Sequence, residues 1–284
     1  MNKIDPVKLL TLEQIDDTIF RGLTPEAHWG RVFGGQVIAQ GLAAAYTTVE
    51  ERLCHSLHAY FLLPGDPELP IIFHVDEARD GGSFTSRRVV AIQKGKQILN
   101  MAASFKVAED GMEHSETMPD VPPPESLKSD RALREEVLHL VPEERKEVFL
   151  GILPVDTRRI KPENIMDPEP TSENDRFWFK LNLDGSLEDQ RMSHILMAYV
   201  SDVDFLRSSI RPHGVTPYND GVQLASLDHA LWFHRSFKAD DWFLFDTRSP
   251  SAANATGLNF GSIFSRDGTH VCTVAQEGLI RIKK

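Results

Sequence analysis

Three polar residues stand where the chain pattern favours apolar ones. In the segment VCTVAQEGLI, period-2 alternation puts Cys272, Val274 and Gln276 on one face and Thr273, Ala275 and Glu277 on the other. The first face is the more apolar, and an amide buried there without partners costs roughly 1–3 kcal/mol. Ser226 repeats the pattern more weakly, alternating with Leu224 inside Leu-Ala-Ser-Leu. Asp202 follows a helical segment that ends near Val200, among Val200, Val203 and Phe205. A carboxylate there faces the negative end of the helix dipole, at a cost of a few tenths to about 1 kcal/mol. Each residue also has an ordinary reading: Asp202 starting a turn, Ser226 and Gln276 as satisfied core groups. Asp204, two residues on, is a competing carboxylate. A carboxylate, a hydroxyl and an amide from three elements of the same repeat could hold one water.

Other chemistries leave fewer traces. The chain has no G-x-S-x-G elbow, P-loop, G-x-G-x-x-G or H-E-x-x-H motif. Cys54 and Cys272 are too few for a disulfide framework or a four-cysteine zinc site, and Cys272 sits in a strand-like Val-Cys-Thr-Val, where packing is the expected role. The densest histidine pair, His229 and His234, is five residues apart, on opposite faces of a strand, and reads as two structural residues. A formal charge of −11 argues against a broad phosphate-backbone surface, so no nucleic acid is expected. No apolar run approaches the ~20 residues of a membrane span, and the N-terminus meets charge too soon for a signal peptide. The expected location is cytoplasmic.

The elements that would position the three residues form a repeat. A small-residue helix, 34–47, is followed by strand-like runs at 55–62, 71–78, 84–93 and 97–107. Further along, a strand-like 177–183 and a helix at 187–200 precede runs at 221–233, 242–248, 255–264 and 270–281. Ser56-Leu57 echoes Ser226-Leu227, Arg79 echoes Arg248, and Gly95 echoes Gly268. Lys94-Gly95 and Asp267-Gly268 read as tight hairpin turns, the second more strongly. One helix followed by an antiparallel sheet, twice, implies an α+β fold with two similar units packed together. Between them lies a proline-rich stretch that should exclude a sheet, carrying a charged helix at 129–140. Thr11 and Gln14 have capping-box spacing, and Leu12, Ile15 and Ile19 recur helically, predicting an N-terminal helix.

Seven stretches, in order and over almost the whole chain, resemble the acyl-CoA thioesterase II (TesB-like) family: VFGGQVIAQGL, HSLHAYFLLPGD, RDGGSFTSRRVVAIQKGK, TMP, AYVSDVDFL, SLDHALWFHR and TVAQEGLIR. The resemblance implies a double hotdog, two fused helix-plus-antiparallel-sheet repeats forming one continuous sheet around two central helices. On this reading residues 1–107 are the N-terminal repeat, 108–175 a linker with a short helix, and 176–284 the C-terminal repeat. It implies hydrolysis of fatty acyl-CoA to fatty acid and CoA, with no covalent intermediate, by a water held between Asp202, Ser226 and Gln276. Many relatives carry Thr where this chain has Ser226; the hydroxyl is kept and the orienting methyl lost.

Asp202 is then the expected general base, with Ser226 and Gln276 aiming the water. Gly34 and Gly35 open the first helix and either lend backbone N–H groups to the oxyanion or allow close packing. Arg79, Arg87, Arg88 and Lys94 are candidates for the CoA phosphates, with ordinary surface charge as their other reading. No metal and no cofactor are implied. Gln276 corresponds to Ala103 in the first repeat, and no Asp ends the first helix, so one active site per chain is expected. A non-catalytic acyl-CoA-binding module and an enoyl-CoA hydratase, which resembles an Asp-x4-His arrangement, are the alternatives. Open sheet edges favour a homodimer or homotetramer.

Overall fold

The computed structural model describes residues 5–24, 30–143, 146–150 and 153–283. Helix α1 (Pro6–Leu10) is capped by the Asp5 side chain and stops at Thr11. The hairpin of β1 (Glu13–Asp16) and β2 (Ile19–Gly22) follows, then α2 (Gly34–Thr47) and four strands: β3 (Leu53–Phe61), β4 (Ile71–Asp80), β5 (Phe84–Gln93) and β6 (Lys96–Lys106). The middle holds α3 (Asp130–Glu136), α4 (Lys146–Leu150) and β7 (Val155–Arg159). The last part contains β8 (Asp175–Leu181), α5 (Gln190–Val200), α6 (Arg207–Ile210), β9 (Val222–Ser226), β10 (Asp228–Phe233), β11 (Phe243–Ala253), β12 (Thr256–Ser265) and β13 (His270–Ile282).

All thirteen strands join one antiparallel sheet, in the order β1-β2-β4-β5-β6-β3-β10-β13-β12-β11-β8-β7, with β9 also on β13. The order around the β3–β10 seam is a mirror: β4-β5-β6-β3 on one side, β10-β13-β12-β11 on the other. Leu57 faces Leu231 across that seam. Helices α2 and α5 pack against each other over the sheet, burying Ile38, Leu42, Leu196 and Val200 in a common core. Their approach depends on Gly35, where a Cβ would lie 2.2 Å from the Tyr199 carbonyl oxygen. This is the double hotdog architecture, with one sheet and two central helices.

The structure corrects three expectations. The N-terminal helix ends at Thr11, which is its C-terminal cap, and Gln14 lies in β1 rather than in a capping box. The proline-rich middle does contribute to the sheet: β7, free of proline, adds to the outer edge of β8, where one side needs no partner. Both expected hairpin turns are present: Lys94 and Gly95 have positive φ, and Gly268, at φ +91°, donates its N–H to the Ser265 carbonyl at 2.9 Å. The Ser56-to-Ser226 echo also slips. Leu227 interrupts the strand and donates its N–H to the Glu277 carbonyl, so β9 and β10 replace an unbroken β3.

Candidate active site

The second repeat presents Gln276 and Ser226 from adjacent strands. Alternation along β13 buries Cys272, Val274, Gln276 and Gly278, and Gly278 pairs with Ser226 on β9. Asp202 reaches the same place from the turn after α5. The Gln276 Nε2 donates to Asp202 Oδ1 at 3.0 Å and to Ser226 Oγ at 2.6 Å. Ser226 Oγ lies 3.4 Å from Asp202 Oδ1, longer than the usual 2.5–3.0 Å of an O–H···O bond. The three residues singled out from the sequence therefore meet.

The position of Asp202 is explained by the other repeat. The N-terminus of α2 has no side-chain cap hydrogen bond of its own, and the Gly35 N–H favours the charged form of the Asp202 carboxylate. The acid that sits poorly at the end of α5 thus sits well at the positive end of α2. Gly34 makes room for it: a Cβ there would lie 2.7 Å from Asp202 Oδ2 and 3.0 Å from the Phe61 ring. The two glycines thus bring a carboxylate against the helix start, and Gly35 also serves helix packing.

Electrostatics separates the two candidate carboxylates. Burial pushes the Asp202 carboxyl above its ordinary range, against the opposing pull of His229, Gln276, the Gly35 N–H and Ser226. Asp204 has φ +54° and turns the other way. Burial raises it too, but Arg159, at 2.5 Å, with Arg134 and Arg207, outweighs this and holds it below the ordinary range. Two acids two residues apart are driven in opposite directions, and Asp202 is the one suited to take up a proton.

A fourth residue belongs to the cluster. Ala275 pairs with Ala230, so the next step along each strand brings Gln276 beside His229. His229 Nδ1 lies 2.7 Å from Gln276 Oε1, and its Nε2 2.9 Å from Ser201 Oγ. Sequence reading set His229 aside as structural, although it shares an inward face with Leu231 and Phe233, the signal that marked Gln276. In the first repeat the corresponding pair is Leu57 against Ala103, which is apolar.

The candidate cations are not equivalent. Arg87 is 2% exposed; its guanidinium bonds to Thr48, to Asp80 at 2.9 Å and to the Arg79 carbonyl, so it is a structural anchor rather than a free surface cation. Arg79 and Arg88 are exposed on β4 and β5, and Lys94 pairs with Asp66 at 3.3 Å. Among the described residues, no hydrogen bond or ion pair links these three to the Asp202 cluster. Arg31, not singled out from the sequence, is exposed three residues before Gly34 and donates to the Leu224 carbonyl on β9. Cys54 and Cys272 are free and buried, and burial drives both thiols well above their ordinary range, away from nucleophilic chemistry.

The sequence matches two family models: one for the acyl-CoA thioesterase N-terminal domain over residues 24–106, one for acyl-CoA thioesterase over residues 160–279. It is 39% identical over 279 residues to acyl-CoA thioesterase 2 of Haemophilus influenzae, covering 98% of this chain and 97% of that protein. The chain belongs to the acyl-CoA thioesterase family. Human acyl-coenzyme A thioesterase 8 is 36% identical, over 97% of this chain and 88% of its own. The crystal structure of acyl-CoA thioesterase II TesB2 from Mycobacterium marinum superposes with a TM-score of 0.78 at 37% identity, covering 98% of this chain and 97% of that one. Within this acyl-CoA thioesterase, no helix among the described residues is long and apolar enough to cross a membrane.

Proposed function

We propose that the chain hydrolyses fatty acyl-CoA thioesters to free fatty acid and CoA, at a single site formed by Asp202, Ser226 and Gln276. One observation carries this reading: the Gln276 amide donates to both Asp202 and Ser226, which brings base, hydroxyl and amide to one point. The long Ser226–Asp202 contact is the place where a substrate water enters. Asp202 takes a proton from that water as it attacks the thioester carbonyl, and CoA departs as the thiol. Ser226 and Gln276 orient the water. The oxyanion falls to the backbone at the start of α2, where we assign the Gly34 N–H as donor. Arg31 is the cation best placed for the CoA phosphates, with Arg79 and Arg88 further along the surface.

The same reading takes residues 1–107 and 176–284 as the two repeats and 108–175 as the connection, and places the enzyme in cytoplasmic fatty-acid metabolism. We infer a homo-oligomer, a dimer or tetramer, because β1 and β7 leave the sheet with open edges. Thiol release from acyl-CoA of several chain lengths tests the function. A binding module would retain acyl-CoA without releasing thiol, and a hydratase would consume only enoyl-CoA, again without thiol. Either result overturns the proposal.

A further inference from the structure

The mechanism above uses the Gln276 amide in one orientation, with Nε2 toward Asp202 and Ser226. Asp202 disfavours the amide turned over, Ser226 tolerates either end, and the buried histidine behind it supplies a second lock.

The proton count is specific. Gln276 Oε1 can only accept, so His229 Nδ1, at 2.7 Å, must carry a hydrogen. His229 is 1% exposed. Burial, only partly offset by Asp202 and Gln276, holds its imidazole below the ordinary range. Nε2 lies 2.9 Å from Ser201 Oγ, whose hydroxyl donates to the Ala198 carbonyl at 3.0 Å. Ser201 is fully buried and caps α5. Phe205 stands edge-on to the ring at 6.2 Å and limits its tilt. The resulting chain runs from His229 to Gln276 and from Gln276 to Asp202 and Ser226. Turning the amide would break the bond from His229, set two N–H groups against each other, and point an oxygen at a carboxylate.

We propose that His229 is a positioning residue for hydrolysis, fixing the Gln276 carboxamide so that its N–H groups face Asp202 and Ser226. His229 touches no reacting atom and acts only through Gln276. The inference rests on the thioesterase reading of the same site.

Two nearly isosteric variants separate positioning from mere core filling. In His229→Asn, the side-chain amide nitrogen lies near the Nδ1 position and can still donate to Gln276. In His229→Gln, it extends toward Ser201 and leaves Gln276 Oε1 without its donor. Both keep a polar group in the pocket. Each is made alone and with Gln276→Ala, and kcat and KM are measured by thiol release. We expect His229→Asn to remain within about 5-fold of wild-type kcat and His229→Gln to lose roughly 10–100-fold, with KM changed less than about 2-fold. In the Gln276→Ala background neither change should lower kcat further, because the group it positions is gone. The proposal is overturned if His229→Gln matches wild type, if Asn and Gln are equally slow, or if the His229→Gln and Gln276→Ala losses multiply. A wild-type chain that releases no thiol overturns the thioesterase reading as well. An active wild type with an insensitive His229→Gln overturns this inference alone.

Discussion

The backbone N–H of Gly35, at the start of the first repeat's helix, favours the charged carboxylate of Asp202, which follows the second repeat's helix. The site therefore exists only where the two repeats meet. Helix α2 offers Asp202 the positive end of its dipole, and α5 delivers the acid to it. Gly34 sets the distance, since a Cβ would lie 2.7 Å from Asp202 Oδ2. Gly34→Ala should displace the carboxylate or the helix start and lower kcat about 10–100-fold, while circular dichroism and melting stay close to wild type. Unchanged kcat in that variant would show that Asp202 tolerates movement and that its place on α2 is incidental.

Asp202→Asn removes the base without changing the side-chain shape. Positioned acid–base groups contribute about 10²–10⁴-fold, so kcat should fall by that range. The fold should survive, because an amide can still accept from the Gly35 N–H. Turnover near the wild-type rate, with a native circular dichroism spectrum, would remove Asp202 from the mechanism.

The pH profile carries a second signature of the same group. A base must be deprotonated to act, so kcat/KM should rise with pH through the carboxyl's raised pKa. The acid limb should then lie above the ordinary carboxylate range. Stability runs the opposite way. Because the folded value exceeds the unfolded one, ionising Asp202 costs more in the folded state, and wild type loses stability as pH climbs past its ordinary value of 3.8. Asp202→Asn, always neutral, should therefore melt above wild type near pH 7. That gap should narrow as pH falls toward 4. A variant that melts lower at pH 7, or a gap that widens on acidification, contradicts a raised carboxyl.

The sequence was most legible where burial alone dictates the pattern. Strand β5 was read residue for residue, because Thr85, Arg87, Val89, Ala91 and Gln93 alternate inward without interruption. The three site residues were legible for the same reason: they are polar at positions whose neighbours are apolar. His229 has the same signal, yet its bond to Gln276 crosses between strands and has no linear spacing. Thr11 and Gln14 misled because Asp5 and Pro6 start the helix earlier, and a short helix capped at Asp5 closes on Thr11. The middle misled for a different reason. Prolines exclude a central strand but not an edge strand, and its charged residues find partners far along the chain.

Arg159 shows what those partners do. It lies on β7, 6% exposed, and meets Asp130 from the middle at 3.2 Å, Asp175 on β8 at 2.6 Å and Asp204 at 2.5 Å. Arg207, at the start of α6, adds contacts to Asp175 at 3.3 Å and to Glu163 at 2.5 Å. The turn that carries Asp202 is thus pinned two and five residues downstream, at Asp204 and Arg207, by groups that include Asp130 and Glu163 from the middle. Removing one member of a buried ionic group leaves its partners uncompensated, typically at 3–5 kcal/mol. Arg159→Met should therefore lower the melting temperature by roughly 6–20 °C at about 2–4 °C per kcal/mol. It should also lower kcat at temperatures where the variant remains folded, because Asp204 is released beside Asp202. Arg159→Lys keeps one charge but not the fork that reaches three carboxylates, and should fall between the two. Calorimetry and thiol release on the same samples check both effects. A melting temperature within 2 °C of wild type would mean that the middle segment does not hold the catalytic turn.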